Sequence, residues 1–349
     1  MNPVTKRQQP RERDLLNAAL AGNDAAFRDL IEPHRPGLHV HCYRMLGSLH
    51  DAEDALQEAL LKAWRGLPRF DGRSSLHTWL YRVTTNACLD AIARRPKRVL
   101  PIDYGPPTDP RGDAPEAAPV PDIWIEPYPD GRYELDAAET SPDARYEQRE
   151  ALELAFVAGL QHLPASQRAT LVLRDVLGFS ALEAAEVLGT TVPSVTSALQ
   201  RARRALAERL PGPTEQAGIR GRSHHEVRQV AGRFLDAFDR GDVDAILAML
   251  AEDAAFEMPP FPGWCRGRAA LAASWLMPEG PPLRMRHVET SANGQPAAGV
   301  YVLDRARGIY APICLDVLTV RGPWIADVKC FRMPELFRRF GLPPELPAD

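Results

Sequence analysis

The sequence predicts a multidomain chain: two all-α units, at residues 12–98 and 146–210, followed by a C-terminal α+β domain at 222–340. Three observations carry this. Apolar residues recur at spacings of three and four through both helical stretches, as one buried helix face requires. Between them, at 99–145, lies an acidic, proline-rich segment whose only basic residues before Arg145 are Arg111 and Arg132, a composition that reads as a linker, unable to propagate a helix or bury much surface. Beyond about His224 a long amphipathic helix gives way to the alternating, β-branched and aromatic pattern of antiparallel strands in "AAGVYVLDRARGIYAPICLDVLTVRGPWIADVKCF".

In the first unit the helical pattern is broken at "GND", "EPHRPG", "GSLHD" and "PRFDGRSS". Residues 51–58 hold Asp51, Glu53, Asp54 and Glu58 without a base. With Leu56, Leu60 and Ala63 turned to the core, Asp54, Gln57, Glu58, Leu61 and Arg65 form an exposed stripe suited to a protein partner. The next helix uses Leu76, Leu80, Val83 and Ala87 as its core stripe. Trp79, Arg82 and Asn86 fall on a neighbouring face, and Arg94, Arg95, Lys97 and Arg98 follow. An aromatic for stacking, an amide for a base edge and cations for the backbone are what single-stranded nucleic acid calls for. Trp79 and Tyr81 also read as ordinary core aromatics.

In the second unit Ser180 and Glu183 form a capping box that starts a short helix at 181. Gly189 ends it in a tight turn, and Thr191 caps the next helix with Pro193 in its first turn. Ala185, Gly189, Val195 and Ala198 have the spacing of a helix-turn-helix core. Ser194, Ser197, Gln200, Arg201 and Arg204 lie outside that stripe, as base-edge and phosphate contacts in a major groove require. A three-helix bundle with solvated arginines fits the same pattern.

The chain of 349 residues has a formal net charge of −4, so its basic groups are local rather than those of a general polyanion binder. There is no apolar run of 18 residues, and the charged N-terminus has no apolar segment behind it; a cytoplasmic protein without membrane contact is expected. Cys42, Cys88, Cys265, Cys314 and Cys330 are odd in number and scattered, so they read as buried reduced thiols. His39 and His41 point different ways on a helix, and no metal or cofactor is expected.

"DAEDALQEALLKAWRGLPRFDGRSSLHTWLYRVTTNACLDAIARR" resembles region 2 of the extracytoplasmic-function (ECF) sigma factors of the sigma-70 family. "LPASQRATLVLRDVLGFSALEAAEVLGTTVPSVTSALQRARRAL" resembles their region 4. The resemblance implies that Asp54, Gln57, Glu58 and Leu61 dock on the β′ clamp of core RNA polymerase, a partner that includes the β subunit. It implies that loop 69–75, with Arg73, and the helix carrying Trp79, Arg82, Asn86, Arg94 and Arg95 capture flipped bases of a −10 promoter element. Residues 193–204, with Ser194, Ser197, Gln200, Arg201 and Arg204, would read a −35 element as duplex DNA.

"HHEVRQVAGRFLDAFDRGDVDAILAMLAEDAAFEMPP" and "GRAALAASWL" resemble the SnoaL-like, NTF2-like cone fold, which surrounds a cavity open to a small-molecule ligand. His287, Asp304, Asp316 and Asp327 map onto no catalytic motif, strand-borne acids being mostly outward and solvated, and no enzymatic activity is expected. Phe261 and Trp264 fit a cavity mouth or an apolar plug equally. "WIEPYPD" resembles a tryptophan-acid-proline motif of fused sigma factors, which implies that Trp124 and Tyr128 dock on the C-terminal or the sigma domains and that the extension regulates activity. Two rivals are a one-component, ligand-sensing DNA-binding regulator, which leaves Asp54, Gln57 and Asn86 without a role, and an isomerase or cyclase with a vestigial helical arm.

Overall fold

A computed structural model describes residues 3–108, 120, 123–132, 153–209, 224–275 and 284–348. These fall into two compact units, one of residues 3–96 and 160–206, the other drawn from 97–132, 153–159 and 207–348. Most of the expected linker, the start of the second helical stretch at Tyr146 and the hinge after Leu210 lie outside the described residues.

The first unit contains α1 (Pro3–Leu20), α2 (Asp24–Ile31), α3 (Arg35–Leu46), α4 (Leu49–Gly66) and α5 (Leu76–Arg94). The breaks are chemical. Asn23 Oδ1 accepts from the N–H groups of Ala25 and Ala26, Ser48 caps α4 through Asp51 N–H, and Ser75 caps α5 through Thr78 N–H. Gly47, at φ 69°, lets α3 stop in a left-handed turn. The break expected at "EPHRPG" is only a 3-10 turn, Glu32–His34, because Pro36 is tolerated in the first turn of α3.

Then follow α6 (Leu154–Gln161), α7 (Ala165–Leu171), a π-helical turn (Val172–Val176), α8 (Ala181–Leu188) and α9 (Val192–Ala207). The second helical stretch packs directly on the first. Phe179 is buried, its ring stacked on His77 at 5.3 Å and edge-on to Tyr81 at 5.2 Å. Arg168 is buried as well. Its guanidinium donates to the carbonyls of Met45, Gln161 and Leu163 and to Gln161 Oε1, while Gln161 Nε2 donates to Arg44 O at 3.2 Å. The last carbonyls of α3, which no intrahelical donor reaches, are thus capped by a cation and an amide from the other stretch. Burial lowers the Arg168 pKa to about 10, so it still carries its charge at neutral pH.

The second unit holds α10 (His224–Arg240), α11 (Val243–Met249), α12 (Arg268–Trp275) and a seven-stranded sheet. Its strands are β1 (Leu250–Glu257), β2 (Trp264–Arg266), β3 (Met285–Ala292), β4 (Gln295–Asp304), β5 (Ile309–Arg321), β6 (Trp324–Phe331) and β7 (Leu346–Pro347), in the order β2-β1-β6-β5-β4-β3 with β7 on β5. Only β1 and β6 run parallel. Val230, Phe234 and Leu235 of α10 pack with Leu318, Val320, Ile325 and Val328 of the sheet to form its main core. No helix among the described residues is long and apolar enough to cross a membrane.

The linker expectation needs correction where the segment is described. Trp124, Ile125, Pro127, Tyr128 and Pro129 are buried; the backbone of Trp124 and Ile125 pairs with Val99 inside the segment, while that of Tyr128 and Pro129 pairs with Asn293 and Ala292 of the C-terminal domain. Tyr128 N–H donates to Asn293 Oδ1 at 2.7 Å, and Asn293 N–H donates back to Tyr128 O at 2.8 Å. Asp130 accepts from Gly294 N–H, and Ile102 N–H donates to Glu257. Trp264 is buried, its Nε1 donating to Gly105 O and its carbonyl accepting from Thr108 N–H, both at 2.7 Å. Trp124 is 2% exposed, edge-on to Tyr104, with Nε1 donating to Val120 O.

Two tests follow from this packing. His41 is fully buried, shares a 3.0 Å hydrogen bond with Thr85 Oγ1, and burial lowers its pKa from 6.5 to about 3. The unfolded chain therefore takes up a proton that the folded chain refuses, and stability falls as pH drops below 6.5. The loss approaches about 1.4 kcal/mol per pH unit. Urea midpoints taken from neutral to mildly acidic pH should fall less steeply for His41→Asn than for the wild type. Asn293→Gly keeps the left-handed turn (φ 55°) but leaves Tyr128 N–H buried without an acceptor. It should cost about 1–3 kcal/mol in urea unfolding of the C-terminal unit and speed limited proteolysis within 123–132.

Candidate functional site

Three exposed faces of the first unit carry the expected binding residues. On α4, Ala52, Ala55, Leu56, Ala59 and Ala63 are buried. Asp54 and Gln57 are exposed, Glu58 is half-buried and Leu61 stands 52% exposed. The acids are not free charges. Arg95 pairs with the buried Asp51 and, at 3.2 Å, with Asp54, and Lys62 bridges Glu58 at 2.9 Å and Asp90 at 3.0 Å. Those hydrogen bonds to Glu58 and Asp90 push the Lys62 pKa up.

The placement of Arg95 differs from the expectation. It stands not in an open cationic cluster but against the N-terminal turn of α4, where Asp51 needs a counter-charge. Arg82, Asn86 and Arg94 are exposed along α5, four and then eight residues apart. Trp79 is half-buried, its ring 5.3 Å from Phe70, so it is shared between core and surface. Arg73 is 89% exposed, held by its Nε to Asp71 at 2.8 Å in a loop that turns at Gly72 (φ 71°). Phe70, at the start of that loop, is a contact that residue patterning missed; its signal was the lone aromatic in "PRFDGRSS".

The third face belongs to α8 and α9. The capping box is formed on both sides, Ser180 N–H to Glu183 at 2.8 Å and Glu183 N–H to Ser180 Oγ at 3.2 Å, and Gly189 turns the chain at φ 62°. Val195, Leu199, Ala202 and Leu206 are buried. Ser194, Ser197, Gln200, Arg201 and Arg204 are all exposed along the other side of α9. Arg203 grips Asp175 with two bonds at 2.8 and 2.7 Å, and those bonds raise its pKa. Its fork is satisfied inside the protein, whereas Arg201 and Arg204 remain on the surface.

The cone of the second unit opens as a cleft of about 890 Å³ lined by Phe238, Asp239, Arg284, Arg286, His287 and Tyr310 among others. His287 Nδ1 meets Asp239 Oδ1 at 2.6 Å. Asp316 departs from the outward placement expected of strand acids. Register puts it opposite Ala298 and Cys330, and burial raises its carboxyl pKa while the nearby His287 opposes that. Cys314, Asp316 and Cys330 gather in one cluster that spacing along the chain concealed.

Comparison with known proteins agrees with this layout. Residues 30–98 match Sigma-70 region 2, 153–206 match Sigma-70, region 4, and 231–327 match the SnoaL-like domain. The ECF RNA polymerase sigma factor SigG of Mycobacterium tuberculosis is 41% identical over 318 residues, 90% of this chain and 83% of SigG. SigM of the same organism is 31% identical over 204 residues, 58% of this chain and 87% of SigM. The crystal structure of the M. tuberculosis ECF sigma factor SigJ shares the fold, with a TM-score of 0.54 at 21% identity over 89% of this chain and 97% of SigJ. The match to region 2 tells against a one-component regulator, which has no use for a polymerase-binding module. The chain belongs to the ECF RNA polymerase sigma factors, which bind core polymerase and promoter DNA, and it carries a SnoaL-like domain behind region 4.

Proposed function

We propose that the α4 stripe of Asp54, Gln57, Glu58 and Leu61 docks on the β′ subunit of core polymerase, that Arg73, Trp79, Arg82, Asn86 and Arg94 receive the −10 strand, and that α9 reads the −35 duplex. The domain limits in this reading are 12–98, 99–145, 146–210 and 222–340, with the described ends of the second segment fastened to the fourth. Arg95 acts at one remove, holding the acidic face of α4 in register with α5. Trp124 and Tyr128 anchor the segment through which the SnoaL-like domain modulates initiation. The domain acts by binding rather than turnover. Arg240, Arg284, Arg286 and Arg305 around the cleft favour a small anionic ligand.

One observation supports the reading: most of the residues assigned here to promoter DNA are exposed while the two sigma regions are clamped together through Arg168, Gln161 and Phe179. A compact unit of roughly 150 residues is about 40 Å across. Elements 25 base pairs apart lie about 85 Å apart along B-form DNA. The closed unit cannot touch both, so the clamp must part on the way to an initiation complex. Flipped bases captured by region 2 then offset the few kcal/mol of unstacking.

Run-off transcription with purified core enzyme tests this. Asn86→Ala should weaken promoter opening while duplex binding is kept. Arg201→Ala should weaken closed-complex binding and reduce its salt slope by about one. Phe179→Ala should ease parting of the clamp and raise promoter occupancy at fixed protein concentration. Unchanged transcription in all three variants would overturn the assignment.

A further inference from the structure

Inside the SnoaL-like domain, three groups from neighbouring strands converge on one point. Cys314 and Asp316 lie two apart on β5 and so share a face, and Cys330 on β6 is the direct partner of Asp316. Their ligand atoms all lie within 4.8 Å of one another, and Cys314 Sγ is 3.5 Å from Asp316 Oδ1. Around a tetrahedral zinc, thiolate and carboxylate atoms sit about 3.6–3.8 Å apart. Both cysteines are buried, and the packing around them is soft and apolar: Val300, Phe256, Met258, Met285 and Ile313. Among the described residues no lysine or arginine forms an ion pair with Asp316; the Cys314 thiol faces it and His287 lies near it.

We propose that Cys314, Asp316 and Cys330 form a binding site for a thiophilic d10 cation of the Zn²⁺ class, with a fourth position left to water or a small ligand. Two sulfurs and one oxygen are a donor set that discriminates against Mg²⁺ and Ca²⁺, which take oxygen ligands. Three protein ligands rather than four is the arrangement that keeps a coordination position open. Met285 both packs against the cluster and lines the cleft, so the ion has a short way in. The scattered cysteines gave no sign of this in the sequence, because a hairpin register rather than a short spacing brings them together.

The test uses the untagged full-length protein, reduced and stripped with a chelator. Zn²⁺ should rebind at one equivalent by elemental analysis, raise the thermal midpoint of the protein, and be replaceable by Cd²⁺ with a thiolate charge-transfer band. Cys314→Ser and Cys330→Ser should each lower the affinity by about 100-fold or more and weaken that band. Asp316→Asn, which keeps the side-chain shape, should lower affinity while the apo protein stays folded by circular dichroism. Failure of the reduced wild type to bind Zn²⁺, binding that none of the three substitutions weakens, or a Cys314–Cys330 disulfide in place of metal would each overturn the proposal. None of these outcomes bears on polymerase binding by α4 or on promoter reading, so they are separable from the sigma-factor assignment.

Discussion

A single buried cation, Arg168, governs the state in which both sigma regions are held. Among the described residues it has no carboxylate partner, only a cage of carbonyls and the Gln161 amide. The charge is instead balanced by aligned peptide dipoles at the end of α3, where the negative pole of the helix is strongest. Such a contact is directional: it is good only when the end of α3 and the start of α7 meet in one geometry. A carboxylate in the same place would attract from many angles. The clamp is therefore firm when formed and offers little once the regions separate, as a two-state element requires.

Placement of charge makes the rest intelligible. The chain is nearly neutral overall, yet it presents acids on α4 and arginines on α9. Internal pairing prunes these sets. Arg95 is withdrawn to Asp51 and Arg203 to Asp175, which leaves Arg94, Arg201 and Arg204 on the surface. What remains is a small number of cations at separate places, each positioned by a capped helix. Near-neutrality limits adhesion to arbitrary DNA, because the phosphate attraction that drives non-specific binding grows with the number of cations acting together.

Much of this was legible in the sequence for local reasons. The capping box at Ser180, the turn at Gly189 and the alternation in β4 and β5 depend on neighbours within a few residues, so patterning found them. Arg95 could not be placed that way, because Asp51 lies 44 positions earlier and meets it only through the packing of α4 on α5. Asp316 was misjudged for a similar reason. Its facing is set by strand register and by α10 closing over that face, neither of which composition records. The buried stretch from Trp124 to Pro129 looked like a tether, because prolines and acids hide how well an extended backbone can pair with a sheet edge.

The Asn293–Gly294 turn explains how that stretch is held. A two-residue hairpin turn with positive φ at both positions (55° and 70°) points backbone N–H groups outward, normally to water. Here Asn293 N–H goes to Tyr128 O and Gly294 N–H to Asp130, while the Asn293 side chain takes the N–H of Tyr128. Every one of these bonds joins the segment between the sigma regions to the SnoaL-like domain. Pulling the segment away strands three N–H groups at once, so it cannot peel off one residue at a time. A ligand or partner that distorts the β3–β4 hairpin would therefore reach the segment between regions 2 and 4 directly, without any change in the sigma regions themselves.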